Sequence, residues 1–74
     1  MNLQATIYHS SNVRAATFVP NNPESTRRYI GKGTLTVTYW WGDTYTYPNQ
    51  DVSVYYAIVN GPSPGRAVWN YLRR

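Results

Sequence analysis

The chain has 74 residues, no cysteine, and seven Lys and Arg residues against three Asp and Glu, which gives a formal net charge of +4. This size predicts one domain with a thin core, and the missing thiols exclude disulfides and thiolate metal sites, which suits the reducing cytoplasm. The N-terminal sequence predicts neither a secretory leader nor a membrane span. Because six of the seven cations are arginine, polyanions or acidic protein surfaces are the expected partners.

The first part of the chain predicts a β-hairpin followed by a loop. Residues 3–8 and 14–19 are short β-type runs, and the Ser and Asn residues between them favour a turn or bulge. Residues 20–26 are a loop by composition, with two prolines and two asparagines. The segment that follows, up to residue 33, adds three cations: Arg27, Arg28 and Lys32.

The next stretch, residues 34–41, alternates strictly and predicts a strand with Leu35, Val37 and Tyr39 on one face and threonines on the other. It ends in two adjacent tryptophans. Neighbours on a strand point to opposite faces, so at least one of these rings is expected outside the core.

The turn after this strand decides the role of Tyr45 and Tyr47. A two-residue turn would place both tyrosines with the threonines, where they and Trp40 would form an exposed aromatic surface suited to bases or a partner's side chain. A three-residue turn over residues 41–43 would instead point both tyrosines towards the core. The pairs would then be Tyr45 with Tyr39 and Tyr47 with Val37. The tyrosine-rich composition favours this second arrangement, in which both rings are structural.

Two helices are predicted at the C-terminal end. The first follows Asp51, a suitable N-cap, and stops at Asn60–Gly61, with an inner stripe of Val52, Tyr55, Tyr56 and Val59. The second has Ser63 as N-cap and Pro64 as its first residue, with an inner stripe of Val68, Tyr71 and Leu72. Strands first and helices last predict one α+β domain over residues 1–74, a small antiparallel sheet of about four strands with both helices packed on one face.

Short motifs along most of the chain resemble the KTSC domain family, a module found at the C-terminus of some lysyl-tRNA synthetases and as a free-standing bacterial and phage protein. They are SSNV at residues 10–13, LTVTY with its following Gly turn, Tyr45-x-Tyr47, Val54-Tyr55-x-Ala57, Asn60, and Ser63-x-Gly65-Arg66. RNA binding has been suggested for this family. A free-standing basic chain of this size also resembles small phage-encoded regulators that bind host bacterial RNA polymerase, block initiation and promote antitermination.

This chain differs from the KTSC pattern in two places. The loop from Pro20 to Gly33 is longer than the turn expected in the family, so its cations are expected to make specialised partner contacts. The proline-led start of the first helix is replaced here by Asn49-Gln50-Asp51, which leaves the position of that helix start open.

Groups that could perform catalysis are few. His9 is the only imidazole, and the only carboxylates are Glu24, Asp43 and Asp51, of which the last two already suit turn and capping roles. No enzyme activity, metal, cofactor or small-molecule substrate is expected.

The start of the second helix is a candidate anion site. Ser63, Gly65 and Arg66 combine free backbone N–H groups, a small residue and a guanidinium, which suits a phosphate or carboxylate. Capping alone would account for Ser63 but would not require Arg66.

Two binding functions are therefore considered, with a purely structural role as a third that leaves the arginines unexplained. One is a transcription regulator that contacts bacterial RNA polymerase through arginines and exposed rings, and the other is direct RNA or single-strand binding. The resemblance favours the regulator. The candidate contact residues are Arg14, Arg27, Arg28, Lys32, Trp40, Tyr45, Tyr47, Arg66, Arg73 and Arg74.

Overall fold

The structure, a computed structural model, describes residues 2–22 and 31–72 and shows an antiparallel sheet followed by two helices. The strands lie in the sheet in chain order, β1-β2-β3-β4. The elements are β1 (Leu3–Thr6), β2 (Val13–Pro20), β3 (Lys32–Tyr39), β4 (Thr44–Asp51), α1 (Val52–Asn60) and α2 (Pro64–Tyr71). The predicted α+β architecture is confirmed.

Both helices pack on one face of the sheet. The alternation predicted for β3 is confirmed, because Leu35, Val37 and Tyr39 all lie in the core. Phe18 of β2 is fully buried, and its ring centroid lies 6.1 Å from that of Tyr55 on α1. Among the described residues, the buried core consists of Leu3, Ile7, Val13, Ala16, Phe18, Leu35, Val37, Tyr39, Tyr55, Ile58, Ala67 and Val68.

The opposite face of the sheet is lined mainly by threonines. Strand alternation and the pairing register place on it Thr6, Thr17, Thr34, Thr36, Thr38, Thr44 and Thr46, together with Gln4, Ala15 and Val19. Within the described strands, the charged residues in line with this face are Lys32 and its ladder partner Asp51, at the end of the sheet away from the β3–β4 turn. Between this pair and the turn, the face is a neutral surface, mainly of hydroxyl and methyl groups.

The β3–β4 turn has three residues, but it starts one residue earlier than predicted. The Tyr39 N–H donates to the Asp43 carbonyl at 2.9 Å, so Trp40, Trp41 and Gly42 form the turn. Its third position needs a positive φ, and Gly42 has φ 103°, which explains why the turn ends there and not at Asp43.

This turn sets the register of Tyr45 and Tyr47. Tyr45 pairs with Val37 and Tyr47 with Leu35, which corrects both predicted pairs by two residues on β3. The two tyrosines nevertheless point to the helix side, because the three-residue turn keeps the same alternation. The surface of Trp40, Tyr45 and Tyr47 that a two-residue turn would form is absent. Since β4 is the edge strand, the Tyr45 ring is still 46% exposed, and only Tyr47 is half-buried.

The helix boundaries follow the predicted capping signals. Helix α1 begins after Asp51, whose Oδ2 accepts the Ser53 N–H at 2.9 Å, and it ends where the Gly61 N–H donates to the Ala57 carbonyl. Asn49–Asp51 do not delay this start, because Asn49 has φ 56° and forms a bulge in β4 that directs the chain into the helix.

Three details of the predicted helices are wrong. The buried side of α1 is centred on Tyr55 and Ile58, so Tyr56 is exposed and only packs its ring edge against Tyr55. Tyr71 on α2 is exposed because it borders an open depression between the helices. Ser63 stands at the N-cap of α2, but its side chain makes no capping hydrogen bond with the described residues.

Replacing Asp51 with alanine is expected to lower the free energy of unfolding by about 1 kcal/mol at neutral pH, because the cap on α1 is lost. Hydrogen bonds from the Ser53 side chain and backbone, with a smaller effect of Lys32, hold the pKa of Asp51 below its ordinary value. This stabilisation is therefore present above the unfolded-state pKa of about 3.9 and is lost as the pH falls through the folded-state pKa. Urea unfolding at pH 7 and at pH 3 measures both effects.

The matched control for this prediction is Asp51→Asn. Asparagine caps as well as aspartate but does not titrate, so stability at pH 7 should be kept while the fall in stability at acidic pH becomes shallower. Equal stability of the wild type and Asp51→Ala at pH 7 would show that this cap contributes nothing.

Candidate functional site

The candidate site lies at one end of the sheet, named here the turn end, where the β1–β2 connection (residues 7–12) meets the β3–β4 turn. Two hydrogen bonds from Trp40 join these segments. Its backbone N–H donates to the Asn12 carbonyl at 2.9 Å, and its indole Nε1 donates to the Ser10 carbonyl at 3.1 Å. The turn is thus fixed to the connection by both the backbone and the side chain of one residue.

The β1–β2 connection is itself held in shape by short-range contacts. The Ser10 hydroxyl accepts the backbone N–H groups of Asn12 and Val13 at 3.2 and 3.0 Å. The His9 Nε2 lies 3.0 Å from the Gly61 carbonyl, which ties the connection to the segment between the helices. Gly65 packs against the Asn12 side chain. The SSNV, Gly-turn and Ser-x-Gly-Arg motifs, distant in sequence, therefore come together at this end.

Three rings form an aromatic cluster here: Tyr39, Trp41 and Tyr45. The buried Tyr39 ring stacks on Trp41 with a centroid separation of 4.7 Å and an angle of 14°, and it meets the Tyr45 ring edge-on at 5.6 Å. Trp41 is 61% exposed, and its indole Nε1 donates to the Asp43 carboxylate at 2.9 Å. Trp41 is thus exposed to solvent yet held in one orientation.

A cation lies beside the turn because β2 contains a bulge. Val13 pairs with Tyr39 and Ala15 with Thr38, so Arg14 is an extra residue with no partner position on β3. Its guanidinium carbon lies 5.7 Å from the centroid of the Trp40 ring, a cation–π geometry, and Trp40 is 47% exposed. The turn end therefore presents both arginine and tryptophan.

The structure divides the predicted contact residues between different places. At the turn end, Arg14 contacts Trp40, and Tyr45 belongs to the aromatic cluster. By contrast, Lys32 is exposed at the opposite end of the sheet, and Tyr47 is half-buried in β4. Of the other predicted contact residues, Arg66 is exposed on α2, and four lie outside the described residues: Arg27, Arg28, Arg73 and Arg74.

Sequence reasoning missed two residues of this end, Trp41 and Tyr8. Tyr8 lies in the β1–β2 connection and is 84% exposed. Gly42 is the feature of the sequence that could have predicted the exposure of Trp41. A glycine in the third position of a three-residue turn places both tryptophans in the turn, where neither is held in the core.

The predicted anion site does not form a single open cradle. Gly65 is half-buried against Asn12, so its small side is used in packing. Arg66 borders the depression between α1 and α2, together with Ser63.

Among residues 2–22 and 31–72, no three His, Cys, Asp or Glu side chains are grouped closely enough to hold a metal ion. Neither α1 nor α2 has the length and apolar character that crossing a bilayer requires. The resemblance to the KTSC family stays a prediction, since no protein-family model, curated protein or solved structure matches the chain.

Proposed function

We propose that the chain is a non-enzymatic transcription regulator that binds bacterial RNA polymerase through the turn end, inhibits initiation and promotes antitermination. It acts in the bacterial cytoplasm, that of the host if it is phage-encoded. RNA polymerase is proposed as the partner because the chain resembles small phage-encoded regulators that bind it. The observation that supports a protein partner is the exposed pair Trp40 and Trp41 in a well-held turn, with Arg14 of β2 and Tyr45 of β4 beside it.

Tryptophan, tyrosine and arginine are the residues that most often dominate the binding energy of protein interfaces. Their cost on binding is the ordering of the side chain, about 0.5–1.5 kcal/mol for each one immobilised. Trp41 is already fixed by Tyr39 and Asp43, and Trp40 by Ser10, so much of this cost is met within the free protein. Arg14 adds a charge that favours an acidic partner surface.

RNA is the second candidate, and two features disfavour it at this site. In the described strands, the threonine face of the sheet offers no row of rings for stacking bases, and its one ladder cation, Lys32, is paired across the sheet with the carboxylate residue Asp51. At the turn end, the Asp43 carboxylate lies against Trp41, where it would repel a phosphate backbone.

Trp41→Ala is expected to weaken binding to purified bacterial RNA polymerase by about 30-fold, the effect of losing a 2 kcal/mol hot spot. Biolayer interferometry with immobilised polymerase gives the affinity. Transcription assays with purified components should show two further losses for the same variant. It should no longer inhibit run-off transcription from a promoter, and it should no longer promote read-through of a terminator. Trp69→Ala is the matched control and should bind normally, because Trp69 is a tryptophan on α2 that is 60% exposed, against 61% for Trp41.

Either of two results would reject this proposal. One is full-strength polymerase binding by Trp41→Ala at an unchanged circular dichroism spectrum, which would place the contact elsewhere. The other is no binding to polymerase together with tight binding to single-stranded RNA. A steep loss of that affinity between 50 and 200 mM salt would then identify an RNA-binding module.

A further inference from the structure

An open depression of about 290 Å³ lies between α1 and α2. Ala57 of α1, Gly61 and Pro62 form one wall, and the side of α2 that carries Ala67 and Tyr71 forms the other. Its volume is at the lower limit of pockets that hold drug-sized ligands. It is therefore sized for one or two side chains and not for a nucleotide.

The polar groups of this depression lie in a row along α2. Ser63, Arg66 and Asn70 are three and four residues apart, so they share one side of the helix. Arg66 is exposed and forms no ion pair with any described residue. The two carboxylates in the described part of the chain lie elsewhere: Asp43 accepts the Trp41 indole N–H, and Asp51 caps α1.

The charge of the lining selects the kind of occupant. Among the described residues, Arg66 is the single charged group of the lining, and the neighbouring amide of Asn70 and hydroxyl of Ser63 can also donate to a carboxylate. The floor and walls are mainly alanine, glycine, proline and a tyrosine ring, which favour an apolar side chain. An apolar residue with an acidic neighbour satisfies both parts of the site.

We propose that this depression is a second protein-binding site, which takes a short peptide segment with an apolar side chain next to Asp or Glu. The apolar side chain enters the depression between the helices, and the carboxylate pairs with Arg66. This inference does not depend on the proposed function, because it uses none of the residues that are proposed to contact the polymerase: Arg14, Trp40, Trp41 and Tyr45.

The probe is the blocked peptide acetyl-Asp-Phe-Glu-Leu-amide, added to the full ¹⁵N-labelled chain in a two-dimensional NMR titration. The backbone signals of Ala57, Gly61 and Asn70 are expected to shift together and to saturate with a Kd on the order of 1 mM. The neutral peptide acetyl-Asn-Phe-Gln-Leu-amide and the variant Arg66→Gln should each weaken binding about 10-fold, as loss of a charged hydrogen bond does.

Lys32→Gln, which removes a charge at the opposite end of the sheet from the turn end, is the control variant and should bind the acidic peptide as the wild type does. Unchanged affinity of Arg66→Gln would overturn the proposal, and so would equal binding of the neutral peptide. Shifts centred on Trp41 and Tyr45 would also overturn it, although they would support the turn end as the binding surface. Arg66 is exposed, so its substitution is not expected to unfold the protein. A dispersed spectrum of the variant verifies that its fold is intact.

Discussion

Phe18→Ala is expected to unfold a large part of the protein at room temperature. Phe18 is fully buried between the sheet and α1, where its ring meets Tyr55. Truncation of a buried phenylalanine costs about 3–5 kcal/mol, and a domain of 74 residues has a total stability of only about 4–11 kcal/mol. Circular dichroism at increasing urea should show a midpoint close to zero denaturant or a sloping curve without a folded baseline.

Phe18→Leu is the control for this prediction, since it keeps most of the apolar volume and should cost less than about 1.5 kcal/mol. A midpoint for Phe18→Ala that equals the wild-type value would mean that the core is not organised around this ring. The comparison also gives a reference for the binding experiments. It measures how much stability a variant can lose before weaker binding reflects unfolding of the protein.

Gly33→Ala is expected to have the second largest effect, a loss of roughly 2–3 kcal/mol or more. A Cβ at this position would lie 2.4 Å from the Val19 carbonyl oxygen and 2.8 Å from two carbons of the Phe18 ring. The carbonyl belongs to the backbone of the neighbouring strand, so β2 and β3 would have to separate locally. Urea unfolding followed by fluorescence of the tryptophans measures the loss.

Gly31→Ala is the control that distinguishes the steric clash expected at Gly33 from the cost of losing the conformational freedom of glycine. Gly31 has φ 71°, and a Cβ there would meet no described atom within 4 Å, so its substitution carries only the backbone penalty of about 1–2 kcal/mol. Gly33 has no such positive φ. A larger loss for Gly31→Ala than for Gly33→Ala would contradict the structure.

The elements that were predictable are those set by local signals. Asp51 and Gly61 mark the limits of α1 through capping groups within a few residues of each end, and the alternation of β3 indicates a buried face regardless of its neighbours. The α+β architecture follows from the order of such signals along the chain.

The β3–β4 register could not be predicted from the sequence in the same way, because it depends on which residue of the turn adopts a positive φ. Gly42 and Asp43 are adjacent and both suit turns, and only the position of Gly42 in the three-residue turn decides the pairing of Tyr45. The exposure of Tyr45 depends on how far the helices extend over the edge strand, which is a property of the whole fold.

The candidate site was predicted only in part for a related reason. Arg14 and Trp40 were both expected to contact a partner, but their meeting depends on a bulge in β2 and on contacts between segments distant in the chain. The sequence around Trp40 does not show that its indole N–H donates a hydrogen bond to the Ser10 carbonyl, because Ser10 is distant in the chain.

The bulge at Asn49 has a further consequence, for the behaviour of the protein at high concentration. β4 is an edge strand, and its neutral, tyrosine- and threonine-rich first half is the kind of segment onto which another chain can add as a fifth strand. Pro48 has no N–H to donate, and Asn49 with φ 56° breaks the regular ladder immediately after it. Strand addition along β4 would therefore stop after Tyr47, which limits edge-to-edge aggregation in a protein with several exposed aromatic rings.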